Sequence, residues 1–123
     1  MTAITALAML NLDCADPAAM AAFYHGMLGW EITASERDYA VIRGGTTTIG
    51  FTRRAGYQAP QWPEPAAPMR YHFDMYTDDV AEATAKCLAL GGGKPGFQPG
   101  GDRWQVLTDP SGHPFCVCPR QPG

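Results

Sequence analysis

Side chains able to do chemistry concentrate in two stretches of the chain, His72-Phe73-Asp74-Met75-Tyr76 and Phe115-Cys116-Val117-Cys118. An extended strand turns alternate side chains to opposite faces, so His72, Asp74 and Tyr76 share one face while Phe73 and Met75 take the other. On that face His72 can serve as a hydrogen-bonding or acid–base residue oriented by Asp74. Cys116 becomes a nucleophile if His72 reaches it and favours the thiolate, which is the reactive form. The competing readings are structural. His72 can be satisfied within a sheet, and Cys116 and Cys118 can pack as small hydrophobes. Cys14 and Cys87 are expected to be inert, His25 to be a solvated helix residue and His113 to open the last strand.

A site for an organic molecule is mostly apolar with a few placed polar groups. Phe51, Trp62 and Trp104 are the candidate walls, with Tyr57 near them, and His72 and Asp74 are the candidate polar end. Trp30, Phe23 and Tyr24 are expected to pack helix against sheet. The four cysteines show neither the paired spacing of a zinc site nor the density of a disulfide framework, so reduced thiols are expected. A net charge of -3 with nine scattered Lys and Arg offers no footprint for nucleic acid and no attraction to an anionic membrane. The first ten residues lack a basic leader, and no apolar run reaches transmembrane length, so a cytoplasmic protein is expected.

The elements that must position these residues come in two similar sets. At 123 residues the chain suits one domain with a real core, and its 14 Gly and 11 Pro indicate many tight turns. Asp16 to Gly29 predicts a helix, with Asp16 as cap, Pro17 in the first turn, an apolar stripe of Met20, Phe23, Tyr24, Met27 and Leu28, and Gly29 as the stop. Asp78 to Gly91 repeats the plan with Asp78 as cap and Val80, Ala83, Cys87 and Leu90 as the stripe. A strand precedes each helix, at Met9 to Asp13 and at Tyr71 to Tyr76.

Three strands are expected after each helix. They fall at Glu31 to Ala34, Tyr39 to Arg43 and Thr46 to Thr52 in the first half, the last two joined by Gly44-Gly45. In the second half they fall near Gly93 to Phe97, Arg103 to Thr108 and His113 to Cys118, the last two joined by an Asp109-Pro110-Ser111-Gly112 turn. Module 1 spans about residues 5–52, a Pro-rich connector about 53–69, and module 2 about 70–118. Helices align the halves at an offset of 62 and first strands at 61, so first-half strand positions carry a slip of one residue. The fold class is α+β, two βαβββ modules whose concave faces enclose a cup.

On these residues the chain resembles the vicinal oxygen chelate superfamily of glyoxalase I, extradiol dioxygenases and bleomycin-resistance proteins. The resemblance is carried by Asp16-Pro17 with Phe23-Tyr24-His25-Gly26-Met27-Leu28-Gly29-Trp30, by Leu88-Ala89-Leu90-Gly91, and by Asp109-Pro110-Ser111-Gly112-His113-Pro114-Phe115. Gly100-Gly101-Asp102-Arg103-Trp104 and Phe115-Cys116-Val117-Cys118 look like a small glyoxalase-like branch. The resemblance implies a glyoxalase/bleomycin-resistance-type fold, a homodimer, and in metal-using members one ligand on the first and last strand of each module. Those positions fall here on Met9 or Asn11, about Gly50, His72 and Cys116, and only His72 matches well. The expectation is therefore a binder of a small organic molecule with no metal or other cofactor. The alternative is a glyoxalase-type lyase or isomerase, or a dioxygenase, using a divalent metal or the His72–Cys116 pair.

Overall fold

In the computed structural model, residues 3–4, 6–63 and 71–120 are described. The chain divides into two compact units, Met1–Tyr57 and Gln58–Gly123. The first contains β1 (Leu10–Cys14), α1 (Pro17–Leu28), β2 (Glu31–Ser35), β3 (Tyr39–Gly44) and β4 (Thr47–Arg53). The second contains β5 (Asp74–Thr77), α2 (Val80–Ala89), β6 (Gln105–Thr108) and β7 (Pro114–Pro119). Positions 64–69 of the expected connector lie outside the described residues.

The first unit follows its sequence closely. Asp16 caps α1 by accepting a hydrogen bond from the Ala19 N–H at 3.2 Å, and Pro17 opens the helix. Gly29 ends it at φ 73, a left-handed backbone that glycine adopts without a Cβ penalty. The helix buries Met20, Phe23 and Tyr24 against a sheet of order β1-β4-β3-β2. Strands β1 and β4 run parallel and the other neighbours antiparallel. The β3–β4 turn is Gly45-Thr46 rather than Gly44-Gly45, because Gly44 still pairs with Thr47 and Gly45 takes φ 59. Gly44 stays in the strand for a different reason: a Cβ there would collide with the Trp30 indole that lies over it.

Besides a first strand that begins at Asp74 rather than Tyr71, the second unit departs from the sequence reading in two places. Its helix is capped by Asp79, which accepts from the Glu82 N–H at 3.0 Å, while the expected cap Asp78 pairs with Arg120 at 3.1 Å. With Asp79 as cap the slip between helix and strand disappears. Asp16 corresponds to Asp79 and Asn11 to Asp74, 63 residues in each case. The helix closes with Gly92 N–H donating to Cys87 C=O and Gly91 N–H to Leu88 C=O, the paired bonds of a Schellman end.

The other departure is a missing strand. Gly93 to Phe97 forms only a bridge between Gly93 and Thr108, so the sheet has the order β5-β7-β6. Two glycines and Pro95, which lacks an N–H, make this stretch a poor ladder strand. Its place beside β6 is taken in part by one side chain. The Gln98 amide accepts from Val106 N–H at 2.8 Å and donates to Val106 C=O at 2.9 Å, as a neighbouring strand would. The Asp109–Gly112 turn forms as expected, with the buried Asp109 carboxylate accepting from the N–H groups of Ser111 and His113. Among the described residues no helix is long and apolar enough to cross a membrane.

Two predictions follow from these contacts. Val106 is fully buried, so Gln98→Ala strands two backbone groups and should cost about 1–3 kcal/mol in urea unfolding. An unchanged midpoint would show that the side chain contributes nothing to the sheet edge. Cys87 is buried between α2 and the Gly93–Thr108 bridge, and burial first, then the Asp109 charge, pushes its thiol from 9.0 up to about 11. The unfolded thiol ionises in that window while the folded one holds its proton, so stability falls as pH rises from 9 to 11. Cys87→Ser should flatten that alkaline loss by on the order of 2 kcal/mol, read from melts at pH 8 and pH 11.

Candidate functional site

The parallel pairing of β5 with β7 sets Asp74 beside Cys116 and Tyr76 beside Cys118. The Cys116 N–H donates to Phe73 C=O at 2.8 Å, so the pairing reaches back to the residue before the strand. Alternation then brings His72, Asp74, Tyr76, Cys116 and Cys118 to one face, and Met75, Phe115 and Val117 to the helix side. Across β7, β6 continues into Trp104, which joins the same face. These residues line an open hollow of about 410 Å³ on the sheet of the second unit. A Cβ on Gly100 would overlap the Trp104 ring, so the glycine lets the indole lie against the loop.

Asp74 is the electrostatic centre of the hollow. Its Oδ1 lies 3.2 Å from His72 Nε2, and Asp74 is the register partner of Cys116 on the adjacent strand. The His72 side chain is 29% exposed, that of Asp74 66%, whereas Cys116 is buried, so the pair faces solvent from a closed floor. Burial first and the Asp74 charge second raise the Cys116 thiol from 9.0 to about 11, and the same two causes raise Cys118. Of the two readings of Cys116, these directions favour the small packed thiol over the nucleophile. The charge facing the sulfur is negative, and it holds the thiol protonated.

The other candidates separate. Trp104 and Asp74 line the hollow with His72 and Cys116. Phe51 does not: it lies on the helix side of the first unit, fully buried, with its ring stacked on Tyr24 at 5.6 Å. Strand parity decides this, since Phe51 pairs with Leu12 and its neighbour Gly50 takes the opposite face. Trp62 lies against Phe97 at 5.9 Å rather than on the hollow. Tyr57 ends the first unit, its N–H bonded to Arg54 C=O. His25 donates from Nδ1 to the Trp30 carbonyl at 2.6 Å, which ties the end of α1 to the next strand. Tyr76, 62% exposed, is a lining residue not chosen as a wall from sequence, although its alternation with His72 and Asp74 marked it.

The corresponding face of the first unit carries Met9, Asn11, Gly50 and Thr52. Asn11 Oδ1 accepts from Thr52 Oγ1 at 2.7 Å, and a Cβ on Gly50 would come within 2.7 Å of Asn11 Nδ2 and 3.0 Å of Met9 Sδ. A larger residue, such as a carboxylate ligand, does not fit at Gly50 without displacing Asn11. Met9 offers only a thioether. The ligand set shared between modules that the superfamily implies therefore does not fit this chain.

The protonated thiol has a measurable consequence. In a Cys118→Ser background, alkylation of Cys116 by iodoacetamide should be slow at pH 7.5, and Asp74→Asn should accelerate it several-fold by removing the adjacent charge. Fast alkylation in the unmodified site would show that the thiolate is favoured instead.

The profile of the glyoxalase-like domain matches residues 9–118 of the chain. No curated protein matches it. Among solved structures, a genomically encoded fosfomycin resistance protein from Listeria monocytogenes is similar at a TM-score of 0.68 and 17% identity, over 96% of its own chain and 97% of this one. A glyoxalase/bleomycin resistance protein/dioxygenase family enzyme from Burkholderia phytofirmans is similar at 0.66 and 22%, over 98% of its chain and 94% of this one. A glyoxalase/bleomycin resistance protein from Albidiferax ferrireducens follows at 0.62 and 20%, again over 98% of its chain and 94% of this one. At these identities the likeness is one of fold. With the profile spanning both units, the chain belongs to the glyoxalase-like domain family of the vicinal oxygen chelate superfamily.

Proposed function

We propose that the protein binds a small, partly apolar organic molecule in the hollow of its second unit. The observation that carries this reading is Trp104, lying against Gly100, beside the solvent-facing His72–Asp74 pair. An indole plane and a hydrogen-bonding end are the two parts a ligand site needs: one supplies area, the other orientation. Tyr76 extends the aromatic wall, and Cys116 with Cys118 forms a small, uncharged floor.

Charge narrows the ligand further. Among the described residues Asp74 is the only acidic one lining the hollow, and no Lys or Arg lines it. A carboxylate next to two aromatic rings suits a planar molecule bearing an amine or another donor, and works against an anion. Proteins named for antibiotic resistance are among the solved structures of similar fold, which supports a small-molecule ligand without specifying its charge.

Proflavine, a planar aromatic cation, is a direct probe. Its fluorescence should report saturable binding, weakened roughly fivefold to tenfold by Trp104→Ala, the size expected for loss of one stacking partner. His72→Ala should weaken it less. Affinity unchanged by both substitutions would overturn the assignment of the hollow.

A further inference from the structure

We infer that Tyr76 and Trp104 are the two sides of a slot that takes one aromatic ring edge-on over Cys118, and that its ligands are primary aryl-alkyl ammonium ions whose nitrogen meets Asp74. This rests on the reading of the hollow as a binding site, and it gives that site a shape, a ligand class and a specificity-determining residue.

The strand register lays out the slot. Tyr76 pairs with Cys118 across β5 and β7, and the antiparallel pairing of Gln105 with Val117, carried one residue further, sets Trp104 on the other side of Cys118. One row across the sheet therefore reads Tyr76, Cys118, Trp104, with an aromatic ring on either side of a small residue. Neighbouring strands lie about 4.8 Å apart, so the outer two positions stand about 9.5 Å from one another. Centroids of interacting rings lie roughly 4.5–7 Å apart, and two such steps at the short end fill that width with one ring between. Trp104 has one face to offer. The atoms that a Cβ on Gly100 would meet are Cγ, Cδ2 and Cε2, which carry no hydrogen, so the glycine lies over the other face. Tyr76 is exposed and Cys118 half-buried, so the row opens to solvent, and a residue larger than cysteine at its centre would fill it.

The next row along the strands sets the charged end. It reads Asp74, Cys116, Val106, of which the last two are buried and Asp74 alone is open to a ligand. Two residues along a strand advance about 6.6 Å, and a charge-assisted hydrogen bond spans about 2.8 Å of it, which leaves about 4 Å between ring centre and nitrogen. A linker of one or two carbons between a phenyl ring and an amine matches that distance. A carboxylate accepts several hydrogen bonds, so Asp74 can hold His72 Nε2 and an ammonium group together. An aryl-alkyl carboxylate of the same length meets the Asp74 charge instead.

NMR titration of the full-length reduced protein with benzylamine and phenethylamine tests the slot, with cyclohexylethylamine and phenylpropionate as non-planar and anionic controls. The two aryl amines should bind saturably, the cyclohexyl amine at least fivefold more weakly, and the propionate not measurably. Tyr76→Ala and Trp104→Ala should each weaken phenethylamine roughly fivefold to tenfold, because each removes one stacking partner. Cys118→Leu should abolish binding and Cys118→Ala should preserve it. Circular dichroism checks that each variant is folded, and Cys118→Val serves if the leucine variant is not. Equal affinity for the phenyl and cyclohexyl amines, or affinity left unchanged by Tyr76→Ala or by Cys118→Leu, overturns the slot. If proflavine still loses affinity on Trp104→Ala in that case, the hollow stands as a binding site with one open wall and only the slot falls. If neither probe responds to Trp104→Ala, both readings fall.

Discussion

The chemistry of the second unit depends on one register, the parallel pairing of Asp74 with Cys116 between β5 and β7. These strands open and close the unit in sequence, so the pairing joins residues that α2, the bridge at Gly93 and β6 separate along the chain. A shift of one residue would send Asp74 or Cys116 to the helix side and bring Met75 or Val117 onto the open face. The bond from Cys116 N–H to Phe73 C=O holds the register at the end where His72 enters. The first unit uses the same parallel pairing between Asn11 and Gly50, which is why the two faces can be compared residue by residue.

That comparison shows one backbone plan carrying opposite electrostatics. In the first unit an amide bonds a threonine hydroxyl over a glycine, a neutral arrangement complete in itself. In the second, a carboxylate stands between an imidazole and a thiol, and burial together with that charge raises the thiol. Burial and charge act on Cys116 in the same direction, and both disfavour its thiolate. A positive charge in the hollow would act against both.

Close approaches made possible by glycine shape both units. Gly44 lets Trp30 lie on β3, and Gly100 lets Trp104 lie on its own loop, but the two indoles have different fates. Trp104 becomes a wall of the hollow because it continues β6 on the open face. At the outer edge of β6 a side chain stands in for backbone: Gln98 satisfies Val106 where Gly93 to Phe97 does not form a strand. The sheet edge is thereby closed without a fourth strand.

Local signals in the sequence determined much of this. Cap, proline and glycine placed α1 and its end, and the Asp109-Pro110-Ser111-Gly112 turn formed as its residues require, because each rests on interactions within a few positions. Alternation likewise put His72, Asp74 and Tyr76 on one face, and Trp104 stood among the candidate walls. Tertiary structure decided what depends on distant partners. Asp79 rather than Asp78 caps α2, because Arg120 at the far end of the unit pairs with Asp78. Phe51 went to the core because β4 pairs with β1 in the register that stacks it on Tyr24. The role of Asp74 changed most: in sequence it stood as an aid to His72, yet the parallel pairing sets Cys116 on its other side. A strand's own residues specify which face each side chain takes, but only its register with a strand more than forty residues away specifies which charge each one meets.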